Sequence, residues 1–397
     1  MTRIAAGWIL AFTACGGGGH STGDAPSGDS HAIDAGTSDA GCARVAAPVD
    51  RVRQVVISHP YDAASNEANA WEVLDLSTAG VLTRPKRTFT MGRATGGVMA
   101  FTPDGEIGVV SQEDGSLGVV KLASDGTPTV IAAAFTGSFY ATGVAVAPSG
   151  DRVYVLDGNT RDNGGGIYAV DIACDGSVTD AGLVAAAKLP GGLAFVPGGD
   201  HAVVAAGDFL TSTAGDSAHL VTLGAAPTWI GGANAFGDDM AIVGGSTLTS
   251  DAGHFLIGDI SQFSGIPNRV AVVSVSSAAV AAVNVVANVG DPEAIVASPF
   301  GDVALVTDGF GNAFHVLDDT GTGWKLRGDV TYVGAAPQLP AGAVEIAVGA
   351  LSGTALVAEN LGVRIATFGH DGAVTDHGAF ALGSGTENIT GAIGVTP

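Results

Sequence analysis

The sequence predicts an all-β fold, a seven-bladed propeller of four-stranded blades. Three observations predict it. A short phrase of apolar strand, tight turn and second apolar strand recurs along the chain. Its copies are spaced by about 45–55 residues, the length of one four-stranded blade. Each end of the chain carries half of one further copy.

The phrase reads GVMAFTPDGEIGVVSQ from Gly97, TGVAVAPSGDRVYVLD from Thr142, GGLAFVPGGDHAVVAAGD from Gly191 and EAIVASPFGDVALVTD from Glu293. Weaker copies start at Asp239 and Val344. The copy at Thr142 shows a whole blade. Strand A is Thr142–Ala147, then the turn Pro148-Ser149-Gly150-Asp151, built of residues that tight turns favour. Strand B is Arg152–Leu156, followed by the longer loop Asp157–Gly165. Strand C is Gly166–Ile172, the next turn is Cys174–Gly176, and strand D is Val178–Ala187. The strands are near-continuous Val, Ala, Ile and Leu, as expected where neighbouring blades cover both faces. Trp71, Trp229 and Trp324 fall on outer strands, where diverging blades leave room for large rings.

The seventh blade is split. Asn388–Pro397 matches an A strand that stops at the turn proline, and Arg51–Ser58 matches a B strand that lacks its A strand. Joining them removes two open sheet edges, which otherwise invite aggregation.

The stretch GVAVAPSGDRVYVLD resembles the repeat of bacterial YVTN-type propellers, related to the propeller lactonase family that includes 6-phosphogluconolactonase. The resemblance spans Arg51–Pro397. It implies the propeller fold; its turn and strand residues imply little about function.

Composition narrows the partners. The net charge is -23, with only 16 Lys and Arg residues. That excludes nucleic acid, whose phosphates require cations, and electrostatic docking to anionic lipid. Apolar runs are of strand length, well short of the roughly 18 residues that span a bilayer.

The first residues read as an address. Residues 1–14 form a signal peptide: Arg3 supplies the charge and Ile4–Ala14 the apolar run. Phe12-Thr13-Ala14-Cys15 resembles a lipoprotein processing site, with Phe12 where Leu is usual, so Cys15 is the expected lipidated residue. Gly16 follows in place of the Asp that retains such proteins at the inner membrane, which points to the outer membrane of a bacterial cell envelope. Residues 15–50 are a tether, and Gly16–Gly41 has too little apolar content to fold. His20 and His31 within it read as solvated. Residues 51–397 are the propeller. Export permits disulfides, and Cys42 with Cys174 is the expected pair, pinning the tether to the body.

Familiar catalytic motifs are missing from residues 51–397: there is no Gly-x-Ser-x-Gly, His-Glu-x-x-His or Gly-Lys-Ser/Thr there. Asp157, Asn159 and Asp162 resemble only part of a calcium loop. One constellation is periodic. B strands end in Glu113, Asp157, Asp208, Asp259, Asp308 and Glu359, with His59 in the split blade. Glu293, Glu345, Glu387 and Asn388 lie near the entries to A strands. Two readings stay open. These residues converge on one channel mouth and hold a divalent cation such as calcium or a basic partner, or they simply terminate strands. His201 and His254 begin B strands, at the far end from these acids, and His315 lies within a C strand; His59 is the one histidine placed to act as a base there. The expected function is an envelope-anchored, monomeric binding or scaffold module for a protein or small-molecule ligand, touching the membrane only through its lipid. The alternative is a metal-dependent lactonase-type hydrolase using the same acidic mouth.

Overall fold

A tight turn joins strands A and B in blade 3. In Pro148-Ser149-Gly150-Asp151 the backbone of Gly150 takes a positive φ of 76°, which glycine adopts without strain. The Gly150 N–H closes the turn on the Ala147 carbonyl at 2.8 Å, and the Ala147 N–H reaches the Arg152 carbonyl at 2.8 Å. The chain is thereby reversed into an antiparallel pair, with Val144 opposite Val155.

The computed structural model describes residues 44–59, 70–132, 135, 141–158, 165–207, 216–223, 227–237, 242–261, 265–334, 342–359, 362–382 and 391–397. The expectations for Cys15, Cys42, Asn159, Asp162, Asp208, Glu387 and Asn388 concern residues outside this set. The described strands form seven four-stranded antiparallel sheets. Blade 1 orders Ile393–Val395, Arg53–His59, Ala70–Leu76 and Leu82–Thr90. Blades 2 to 7 follow in sequence, with A strands at Ala100–Phe101, Ala141–Val146, Pro190–Phe195, Val243–Leu248, Ile295–Ala297 and Gly342–Ile346. Consecutive A strands lie side by side around a closed ring. Turns between A and B and between C and D form one face, here the turn face. The B–C and D–A connections form the other, the loop face. Among the described residues, no helix is long and apolar enough to cross a membrane.

Blade 3 matches the sequence reading closely: Ala141–Val146, Arg152–Asp157, Gly166–Ile172 and Val178–Ala186. In blade 5 the described A strand is Val243–Leu248, and Asp239, where this copy is read to start, lies outside the described residues. The ring's centre is crowded. A Cβ on Gly245 would land on the backbone N of Ile295 in the next blade, so Val243-Gly244-Gly245 is the segment that fits there. Gly342 is similarly placed, where a Cβ would strike the Gly97 carbonyl oxygen.

The ring closes through its last strand, as the split blade predicts. Val395, Gly394 and Ile393 lie opposite Val55, Val56 and Ile57. The strand is held from both sides. The Met99 N–H of blade 2 donates to the Ile393 carbonyl at 2.9 Å, and the Ile393 N–H donates to the Gly97 carbonyl at 3.0 Å. Beyond it, the Gln54 N–H donates to the Thr396 hydroxyl at 3.0 Å, and the buried Arg53 guanidinium donates to the Thr396 carbonyl at 2.9 Å. Apolar side chains fill the wedges between blades; Ile57, Leu74 and Ile393 pack with Leu356 and Val363 of blade 7.

The compact unit begins at Gly41, and its described contacts with the ring begin at Arg44, ahead of the Arg51 boundary read from sequence. Arg44 binds the Asp104 carboxylate at 2.8 Å in one turn and the Ala173 carbonyl at 2.8 Å in another. The Ala47 N–H donates to the Pro103 carbonyl at 2.9 Å. The chain therefore enters along the turn face of blades 2 and 3. Cys174, beside Ala173, is disulfide-bonded.

Candidate functional site

The acids that end the B strands do not gather as an open ring. In two blades an arginine of the C strand neutralises the acid inside the blade. Asp259 is 0% exposed, and Arg269 Nε lies 2.9 Å from its carboxylate. Glu359 is 0% exposed, with Arg364 Nε at 3.0 Å. Arg364 also binds Asp376 of the D strand at 2.7 Å. Burial raises the Glu359 carboxyl, and Arg364 opposes that shift.

Each of these arginines also lies over an aromatic ring that enters from the preceding blade. Arg269 is 4.7 Å from the Phe236 ring centre, and Arg364 is 4.6 Å from that of Tyr332. Carboxylate, guanidinium and ring thus form a repeated lock between blades, with a cation–π contact as its inner face.

Three further positions also differ from an open surface. Asp157 is 0% exposed. Glu113 is half-exposed but paired with Arg93 at 3.0 Å. His59 is buried, its Nε2 3.3 Å from Glu72, whose other oxygen accepts from Arg84 Nε at 2.6 Å. Burial alone would raise the Glu72 carboxyl; hydrogen bonds from His59 and Arg84 outweigh it and hold the group below its usual range. His59, Asp157, Asp259 and Glu359 are therefore buried rather than displayed on an open surface. The sequence showed the acids. Their partners sit on neighbouring strands, where only the pairing register brings them into contact.

Blade 6 breaks the pattern. Asp308 faces a histidine in place of an arginine: His315 Nε2 is 3.3 Å from Asp308, and its Nδ1 is 2.8 Å from Asp329. Burial would lower the imidazole, but the hydrogen bonds it donates to both carboxylates raise it above its usual value. For Asp308, burial is outweighed by His315 and by backbone N–H donors of Asp291 and Phe310, so its carboxyl lies below the usual range. The segment entering this blade, Gly290-Asp291-Pro292-Glu293, brings two more carboxyls. Asp291 is only 3% exposed, and its Oδ1 has no hydrogen-bond partner. Burial and then Asp308 push it up to about 6. Burial and then Asp291 push Glu293 up to about 7.

The backbone is shaped around these groups. The Asp291 N–H donates to Asp308 Oδ1 at 3.0 Å, and the Gly309 N–H donates to the Asp291 carbonyl at 3.1 Å. A Cβ on Gly311 would strike the Asp308 carboxylate. On the same loop, Phe310 is 70% exposed, with its N–H donating to Asp308 Oδ1 at 3.1 Å. Asp291 and Phe310 were not singled out from the sequence. The available signal was Gly-Asp-Pro-Glu in a connection that carries Phe236 or Tyr332 in other blades.

Two other features complete the survey. A cavity of about 590 Å³ in the channel is lined by Val98, Ser246, Ile295, Ala343 and Glu345 among others. Among the described residues, the only His, Cys, Asp or Glu group with metal-ligand spacing is Asp251, His254 and Asp302, whose ligand atoms lie within 4.8 Å of one another. It sits on the turn face, away from the acids expected to hold a cation.

No protein-family model matches the chain, and no curated protein matches it in sequence. Solved structures resemble it in fold. A protein provisionally named 6-phosphogluconolactonase from Bacteroides fragilis superposes with a TM-score of 0.63 at 11% identity, covering 89% of this chain and 100% of that one. Its namesake from Bacteroides uniformis gives 0.63 at 11% identity, covering 87% and 99%. A protein from Lactobacillus plantarum gives 0.60 at 13% identity, covering 87% and 99%. At such identities the likeness shows the fold alone.

Proposed function

We propose that this chain is an exported, lipid-anchored propeller of the bacterial cell envelope that works by binding, with its recognition surface on the loop face of blade 6. The carrying observation is the contrast between blades. Blades 5 and 7 consume their acids in internal ion pairs, whereas blade 6 leaves Asp291 and Glu293 without a cation beside them. The segment Phe12–Cys15 supports lipidation at Cys15. Arg44, seated against Ala173, supports Cys42 as the disulfide partner of Cys174.

The alternative, a metal-dependent lactonase-type hydrolase, draws on the names of the structural likenesses. The chemistry of blade 6 favours binding. His315 commits both ring nitrogens to carboxylates, so neither is free to take a proton from water. A phosphorylated lactone would also meet carboxylates of its own sign. The test is hydrolysis of glucono-δ-lactone and its 6-phosphate, with and without calcium, manganese or zinc. We expect rates equal to buffer. A metal-dependent rate that is lost in Asp308→Asn would establish the hydrolase instead.

The anchor has its own test. Cys15→Ala should move the protein from the detergent phase to the aqueous phase, or leave unprocessed precursor. Unchanged partitioning of the variant would show that Cys15 carries no lipid.

A further inference from the structure

We propose that Asp251, His254 and Asp302 form a binding site for a divalent transition-metal ion of the zinc type, which clasps blades 5 and 6 together on the turn face. The site lies on the opposite face from the recognition surface of blade 6 and stands independently of it.

Two neighbouring blades build the site. Asp251 lies in the A–B turn of blade 5, and His254 opens that blade's B strand. Asp302 ends the A–B turn of blade 6. One ligand atom from each lies within 4.8 Å of the other two, and both aspartates are exposed, so an ion can reach them from solvent. Among the described residues, neither aspartate pairs with a Lys or Arg. An imidazole with two carboxylates is a donor set that zinc and its neighbours take, with a fourth position left for water. Calcium takes oxygen ligands instead.

Two buried nitrogens point to the same ligand. His254 Nδ1 is shielded from solvent and has no hydrogen-bond partner. Trp324, 2% exposed, stands nearly perpendicular to the His254 ring with centres 6.0 Å apart, and its Nε1 also lacks a partner. Buried polar atoms left unpaired are costly and call for partners. A bound ion gives the imidazole its partner, and water on that ion is an acceptor of the kind the indole N–H lacks.

Blade 2 shows how such a turn uses a cation. Asp104 Oδ1 accepts from the Thr102 hydroxyl at 2.5 Å and the Glu106 N–H at 3.0 Å. Its Oδ2 binds Arg44, which also reaches the Ala173 carbonyl of blade 3 and so ties two neighbouring turns. Asp251 repeats the arrangement, its Oδ1 accepting from the Thr249 hydroxyl at 2.6 Å and the Gly253 N–H at 2.9 Å. Here His254 and Asp302 stand nearby in place of a guanidinium. Burial, and then Asp251, raise the Asp302 carboxyl, a shift that a bound cation would oppose.

The test is calorimetry and thermal unfolding of the full chain, stripped with EDTA and titrated with zinc chloride. We expect saturable zinc binding, calcium at least about tenfold weaker, and a Tm that rises with zinc by mass action. His254→Gln and Asp302→Asn should each weaken zinc binding at least about tenfold and remove the zinc-induced rise. The metal-free Tm of Asp302→Asn should equal or exceed the parent's, because a repelling charge is removed; a mere folding defect would lower it. Replacing His20 and His31 of the tether with Ala should leave the zinc response intact. Absent zinc binding, binding retained by both site variants, binding lost with the tether histidines instead, or equal affinity for calcium would each overturn the assignment. None of these outcomes touches the reading of blade 6, which the lactone assay tests separately.

Discussion

Deleting residues 391–397 is expected to abolish the closed ring. The deletion removes the inner strand of blade 1 and its hydrogen bonds to both sides. It strips the Ser58 and Met99 N–H groups of the Ala392 and Ile393 carbonyls. It also strips the Gln54 N–H and the buried Arg53 guanidinium of Thr396. A buried donor left unpaired costs about 1–3 kcal/mol, and more when charged. Losing the fully buried Ile393 side chain adds about 1.5–3 kcal/mol. The sum is comparable to the whole stability of an ordinary domain, about 5–15 kcal/mol. We expect aggregation in place of a cooperative melt. Since such a chain can fail to express, Thr396→Val provides a graded measurement. It keeps the strand and removes one buried hydroxyl, and should lower stability by about 1–3 kcal/mol. A truncated protein that melts like the parent would disprove closure by this strand.

Replacing Arg364 with Met should be the most damaging single substitution on the loop face. Arg364 is 1% exposed and lies between Glu359 and Asp376, themselves 0% and 5% exposed. Without it, two buried carboxylates repel each other with no cation between them. Breaking a buried pair from one side costs about 3–5 kcal/mol, and the lost contact with Tyr332 adds to this. The pH dependence has a definite sign. Burial already raises the Glu359 carboxyl, and losing Arg364 raises it further. A carboxyl whose folded pKa is raised destabilises the fold as pH climbs from its unfolded value through the folded one. The variant should therefore be closest to the parent at pH 5 and furthest from it at pH 8. Adding Glu359→Gln and Asp376→Asn should restore much of the loss. Urea melts at the two pH values check both statements, and a deficit independent of pH would contradict them.

The sequence revealed what is local. Pro148-Ser149-Gly150-Asp151 encodes its turn without help from distant residues, and the spacing of such turns counts the blades. Matching half-phrases at the two ends disclosed the closure before any contact was known. What the sequence concealed is relational. Asp259 and Arg269 read as an acid and a base ten positions apart, and only strand register sets them opposite each other. The same holds for Arg364 with Asp376 and for His315 with Asp329. The acids thus resembled a shared mouth, whereas Asp259 and Glu359 are paired within their own blades. In blade 5, the need for glycine at Gly245 was hidden because the crowding that demands it arises from the neighbouring blade.

The contacts of Arg44 and of the last residues have a practical outcome. Arg44 rests on turns of blades 2 and 3, while Pro397 accepts from Arg51 beside the Gly105 turn. Both points lie on the same side of the disc, opposite Asp291 and Phe310. A surface, tag or fusion joined at either point therefore holds the propeller by its back and displays the blade 6 corner outward. Coupled to a sensor chip at Arg44 or Pro397, the ring would present that corner to solution.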